Sequence, residues 1–279
     1  MNKSNRSINK IIAYAIIVFM QIQSLSCYAD AVTPDASAGV NTPVVTEQSG
    51  VPIVDIVKPN ETGLSHNKFT DFNVGTPGLI FNNNAGNTAI ASQLAGPINT
   101  NANLGGQAAN IILNEVTGNN ISALNGMIEV AGKSASVIIA NPNGIVGNGF
   151  GFINTNRASL VTGTPNITDG KIDSFTITGG NVTIEGTGNV PEINESTGLY
   201  VNQPVSKLDI MTRAAVINAD LWAQDEINII TGANTVNYST LAATPIDDQS
   251  INKPKLALDV SVLGGMYAGK IQLVGTEKV

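Results

Sequence analysis

Any catalytic histidine in this chain would have to be His66, the single histidine among 279 residues. A nucleophilic site needs a hydroxyl or thiol and an orienting carboxylate fixed within reach of the ring. The surrounding run Gly63–Val74 offers Lys68 and Asp71, at spacings that supply neither. A zinc site built on two histidines is excluded outright. Five carboxylates, Asp209, Asp220, Asp225, Glu226 and Asp259, would suit calcium or an acidic-polysaccharide substrate if they converged. Such chemistry also wants a basic residue to handle the substrate proton, and only Arg213 lies in that stretch, so a solvated acidic face is the plainer reading. Trp222 reads as a strand residue packed on an outer surface. The sequence therefore predicts no catalytic residue, no metal and no cofactor.

The most definite local chemistry is conformational. In Asn141-Pro142-Asn143-Gly144-Ile145, proline fixes φ at the second turn position, asparagine tolerates the third, and glycine can leave with positive φ. The buried run Val137–Ala140 should end there in a sharp corner. Turn asparagines usually satisfy their own backbone, so the motif is expected mainly to hold a shape, with direct recognition by a partner as the second reading.

The elements that must carry this corner are strands. Short apolar or alternating runs of four to eight residues (GLIF, NIILNEV, SVIIA, FTIT, INIIT, ALDVSVL) are punctuated by Asn-Gly, Gly-Gly, Gly-Asn and Asn-Pro. The chain has 34 asparagines and 28 glycines but only 5% aromatic residues. Strand spacing alone suits a sandwich as well as a stacked solenoid. Three details favour a parallel β-helix. Asparagines recur within or just after strands (Asn110, Asn114, Asn141, Asn154, Asn156, Asn181, Asn218, Asn228), where stacked coils would place like residues above one another. Small β-branched side chains fit a narrow interior. The stretch 215–231 runs strand, corner, strand with no hairpin signal inside it. At about 20–25 residues per coil, residues 51–279 would make roughly ten coils.

Composition bounds the partners and the compartment. A net charge of −7 gives no electrostatic reason to approach nucleic acid. Residues 1–29 read as an export signal: Lys3, Arg6 and Lys10 lead an apolar run, Ile11–Met20, too short to span a bilayer. Cleavage is expected after Ala29, with Ala31 as second choice. It would remove the only cysteine, Cys27, and take the charge from −7 to −10. Cys27 as a lipidation site is disfavoured by Ser24. Residues 30–50, rich in Pro, Ala, Ser and Thr, are expected to form an extended leader with little fixed structure. Residues 51–279 are expected to be one β domain whose open first coil is capped within 51–84.

The order of motifs carries a family resemblance. Gly63–Val74, Gly78–Asn83, Ile112–Val116, Glu129–Gly132, Val137–Ile145, Gly151–Leu160, Thr162–Pro165 and Gly264–Lys278 together resemble the secretion (TPS) domain of two-partner-secretion exoproteins, of the filamentous-haemagglutinin and contact-dependent-inhibition type. The resemblance implies an all-β fold, a right-handed parallel β-helix with an N-terminal cap and short extra-helical strands. It also implies export to the periplasm by the export machinery, then engagement by the periplasmic POTRA modules of an Omp85-type outer-membrane transporter, TpsB, and release to the cell surface or beyond. There a host or neighbouring-cell surface is a further implied partner, and an adhesin fragment or a carbohydrate-active β-helix enzyme are the alternative readings. Asn141, Pro142, Asn143, Gly144 and Ile145 match the family's turn motif. Asn101-Ala102-Asn103-Leu104 matches an upstream motif that usually carries proline where Ala102 stands, so that turn is less pre-organised. Gly147 and Phe150 occupy positions where many relatives have cysteines. Full exoproteins of the family continue much further, so a chain ending at Val279 is expected to be an isolated or truncated exoprotein N-terminus, with an exposed last edge able to pair with another copy.

Overall fold

The computed structural model describes residues 32–191, 193–194, 199–200, 203–247, 253–260 and 264–277. The expected signal segment and its cleavage positions lie outside them. From Val51 the chain winds through three parallel faces, each coil crossing them in the same order. Face one carries Val51–Asp55, Leu79–Asn83, Met127–Gly132 and Gly151–Ile153. Face two carries Leu64–Phe72, Ile111–Val116, Ser136–Ala140, Arg157–Val161, Lys207–Thr212, Glu226–Thr231 and Lys270–Gly275. Face three carries Ser122–Leu124, Ile145–Asn148, Asn181–Glu185, Ala214–Ile217 and Leu258–Asp259. Successive strands in sequence do not pair with each other; each pairs with the coil before and the coil after, the signature of a parallel β-helix.

Register on face two explains the sequence pattern. Ile112, Val137, Ala158, Leu208 and Ile227 align in one inward column of the main core. The neighbouring positions Leu113 and Ile138, with Val161, Met211 and Ile230, face outward into a second core. That second core is closed by a four-stranded antiparallel sheet, Thr164–Thr168, Lys171–Ile177, Asn234–Asn237 and Ala243–Pro245, which supplies Phe175, Ile177 and Val236. A sheet buried on both sides needs apolar residues at consecutive positions, hence SVIIA and INIIT where a one-sided sheet would alternate. Burial of this kind stabilises by roughly 25 cal/mol per Å² of apolar surface removed from water.

Three expectations are corrected. Residues 30–50 are not a loose leader: Val32–Pro34 pairs antiparallel with face two and Val44–Gln48 antiparallel with face one, with a 3-10 turn, Gly39–Asn41, between them. These strands, and not 51–84, are the cap. They satisfy the first strand edges of both sheets, while Val51–Asn83 belongs to the coils themselves. Face two counts seven parallel strands in its eight-stranded sheet, fewer than the ten coils expected, because extra-helical excursions consume chain between coils. They are the hairpin Ile90–Ser92 with Gly96–Ile98, the four-stranded sheet, and the pair Ile193–Asn194 with Leu199–Tyr200. Finally, like-on-like asparagine stacking occurs between Asn67 and Asn114, in register inside the core. The other asparagines of that set that make printed contacts bond different groups: Asn154 takes the carbonyls of Val130 and Gly132, and Asn228 takes Asp209.

Candidate functional site

Asn141 ends the face-two strand of the third coil and is fully buried. Its Oδ1 accepts from the Asn143 amide N–H at 2.9 Å, closing the turn on itself. Its Nδ2 donates to Asn120 O and Ser122 Oγ, each at 2.9 Å, tying the corner to the coil before. Asn143 Nδ2 adds bonds to Gly118 O and Asn141 Oδ1, both 2.9 Å. Gly144 leaves the turn at φ +133°, its carbonyl accepting from Ser122 N–H; a Cβ there would sit 3.1 Å from Asn181 O. Ile145 then starts the face-three strand with its side chain in the main core. Pro142 and Asn143 are half-buried and form the surface of the corner.

Asn101 repeats this wiring at the opposite edge of face two. Its side chain accepts from Asn103 N–H at 3.0 Å, and its Nδ2 donates to Ile56 O and Asn82 O, each at 2.9 Å. Ala102–Leu104 form a 3-10 turn ended by Gly105 in the left-handed region. Leu104 plugs the main core, while Ala102 and Asn103 are exposed. The missing proline has not cost the turn its shape, because the Asn101 side chain imposes it. Nearby Asp55 is pushed above the usual carboxylate range by burial, which the Asn82 hydrogen bond only partly offsets. The two motifs are not brought together: one stands at the corner entering face two, the other at the corner leaving it.

The carboxylates weighed for chemistry do not converge. Asp209 is fully buried and held by Arg157 Nε at 2.6 Å, Ser159 Oγ and Asn228 Nδ2. Asp220 accepts from Gly265 N–H, Asp225 from Ser206, and Glu226 pairs with Lys207. Among the described residues no group of three His, Cys, Asp or Glu side chains could hold a metal ion. His66 Nε2 lies 2.6 Å from Glu115 Oε2, with Lys68 Nζ at 3.3 Å. Burial would raise the Glu115 carboxyl, but His66 and Lys68 outweigh it and hold it below its ordinary value. Trp222 stacks on Tyr267, ring centres 4.2 Å apart.

Sequence reasoning missed two groups that fix these corners. Thr162, directly after the strand paired with Val137–Ala140, has its hydroxyl 3.0 Å from that of Thr212, which pairs in turn with Thr231, so threonines continue the column that Asn141 heads. Glu129, nearly buried on face one, accepts from Ser92 Oγ at 2.6 Å and from the amides of Gln93 and Leu94, clamping the first extra-helical hairpin. A lone glutamate in an apolar strand was the available signal. At the positions where relatives have cysteines, Gly147 makes room for Phe150: a Cβ on Gly147 would sit 2.7 Å from the ring.

With this geometry in place, comparison with known proteins is direct. The family model described as TPS secretion domain matches residues 30–279. The chain belongs to the TPS secretion domain family. It is 40% identical over 96% of its length to a Yersinia mollaretii protein named tRNA nuclease CdiA, and 44% identical over 91% to an Enterobacter cloacae protein named 16S rRNA endonuclease CdiA. It spans 8% and 7% of those relatives' lengths. Its fold matches the crystal structure of the filamentous hemagglutinin secretion domain with a TM-score of 0.76 at 34% identity, covering 88% of this chain and 79% of that one. The match to this β-helix meets the fold expectation drawn from strand spacing and turn chemistry.

Proposed function

We propose that this secretion domain is the part of a two-partner-secretion exoprotein that its outer-membrane transporter recognises. In this reading residues 1–29 direct export and are removed, the β-helix meets the periplasmic POTRA modules of an Omp85-type TpsB transporter, and the chain passes to the cell surface or the medium. The observation that carries the reading is the family match over residues 30–279, supported by the shared fold. Asn141, Gly144, Ile145, Asn101 and Leu104 hold the shape that is read, since their side chains or backbones are committed to neighbouring coils. Pro142, Asn143, Ala102 and Asn103 present the outer surfaces of the two corners. The role is binding without chemistry; the nuclease names belong to much longer proteins. The test is to titrate purified residues 30–279 with the POTRA modules of the transporter encoded beside this gene. Saturable binding that an unrelated β-helix lacks is expected, and no binding to the cognate modules overturns the reading.

A further inference from the structure

A crevice of about 160 Å³ opens on the outer side of face two, beneath the tight turn of residues 237–242. Its floor is the register column Asp209, Asn228, Gln272. The floor is rigid. Arg157 binds Asp209 Oδ2, donates to Tyr238 O at 2.8 Å and lies 4.1 Å over the Tyr238 ring. Asn228 is 1% exposed, and its Nδ2 donates to Asp209 Oδ1 at 2.9 Å, which fixes the amide orientation. Its Oδ1 then meets no donor among the described residues. A buried acceptor left bare is costly, so this atom asks for a ligand that donates.

The wall makes the same demand. The hydroxyls of Ser239 and Thr240 both donate to Asn237 Oδ1, at 2.9 and 3.0 Å, and so offer only lone pairs to the crevice. A metal ion or an amine would supply positive charge or donors, but Arg157, Lys207 and Lys270 already outnumber Asp209 and Glu226 around the site. A neutral or acidic molecule rich in hydroxyls meets both conditions. The volume is below the roughly 300–1,000 Å³ of drug-sized pockets and holds about five waters at roughly 30 Å³ each, which suits one pyranose ring.

We propose that this crevice binds a single sugar unit, with a ring hydroxyl donating to Asn228 Oδ1 and the lysines at the rim favouring an acidic sugar. The test uses the full chain, labelled with ¹⁵N, titrated with D-glucose, D-galactose and D-glucuronate while the side-chain amides of Asn228 and Gln272 are followed. Saturable shifts confined to these amides are expected, with a dissociation constant on the order of 1 mM and tighter for glucuronate. Asn228→Leu should weaken binding about tenfold, the loss of one hydrogen bond. Thr240→Arg, a change at an exposed turn residue, should close the mouth and abolish the shifts while leaving the rest of the spectrum in place. Non-saturating shifts with all three sugars would mean that water alone fills the crevice and would overturn the proposal. So would binding undiminished in a folded Thr240→Arg variant.

Discussion

At the residue scale the two turn motifs show one solution reached with different residues. In each, an asparagine side chain closes its own turn and reaches back to carbonyls of a neighbouring coil. Removing Asn141 leaves those carbonyls and the Asn143 N–H without partners in a buried corner. Asn141→Ala should therefore cost about 1–3 kcal/mol in urea unfolding, whereas Pro142→Ala should cost less than about 1 kcal/mol, acting through the unfolded chain. Equal losses would show that the asparagine's bonds are dispensable. Ala102 gives the converse experiment. It is exposed, it opens a 3-10 turn, and it follows Asn101 at φ −87°, ψ 107°, an extended backbone that a following proline tolerates. Ala102→Pro should stabilise by about 0.4–1 kcal/mol, and a loss of stability would mean that the 3-10 turn cannot accept the ring. The turn at Asn141-Pro142-Asn143-Gly144 was legible because proline and glycine dictate backbone by sterics. The roles of Glu129, Thr162 and Thr212 were not, because each depends on which residue the winding places one coil away.

At the element scale the cap is where sequence reading failed, for an identifiable reason. Val32–Pro34 and Val44–Gln48 are short and flanked by Pro, Ala and Ser, so nothing local distinguishes them from a solvated tail. They are ordered by the strand edges they cover. Asp35 locks the cap down: its Oδ2 accepts from Thr117 Oγ1 at 2.7 Å, its other oxygen from Ser37, and its backbone N–H donates to Lys68 O. Hydrogen bonds from Ser37 and Thr117 hold the Asp35 carboxyl below its ordinary value, and Glu115, one coil further on, is also held low. A carboxyl with a depressed folded pKa contributes stability that is fully present above its unfolded pKa, near 4, and is lost as pH falls through the folded value. Unfolding followed from pH 7 down to about 2 should therefore show stability falling on acidification. The double variant Asp35→Asn, Glu115→Gln should start less stable at pH 7 and decline less steeply below about pH 4. Parallel curves for the two proteins would show that these carboxyls are not what acid titrates.

At the scale of the whole solenoid, the winding was legible because consecutive apolar residues and non-hairpin corners have few other uses. The coil count was not, because an excursion such as Thr164–Ile177 has the same strand propensity as a coil and differs only in where it packs. The same stacking logic determines what happens at the far end of face two. Ile271 and Leu273 stand in register with Ile227 and Ile229 of the main core, yet they are 42% and 49% exposed, and among the described residues their strand is paired on one side only. Two core-type side chains beside a free row of peptide groups form a template for another strand. Lys270 at one end is the kind of charge that discourages such pairing without preventing it. This chain, taken alone, should therefore self-associate reversibly as its concentration rises toward about 100 μM, as exposed edges do. Leu273→Lys should hold it monomeric without lowering its unfolding midpoint, because the side chain is half exposed. Sedimentation velocity distinguishes the outcomes, and a wild-type chain that stays monomeric across that range would show that Lys270 and its neighbours already suffice to blunt the edge.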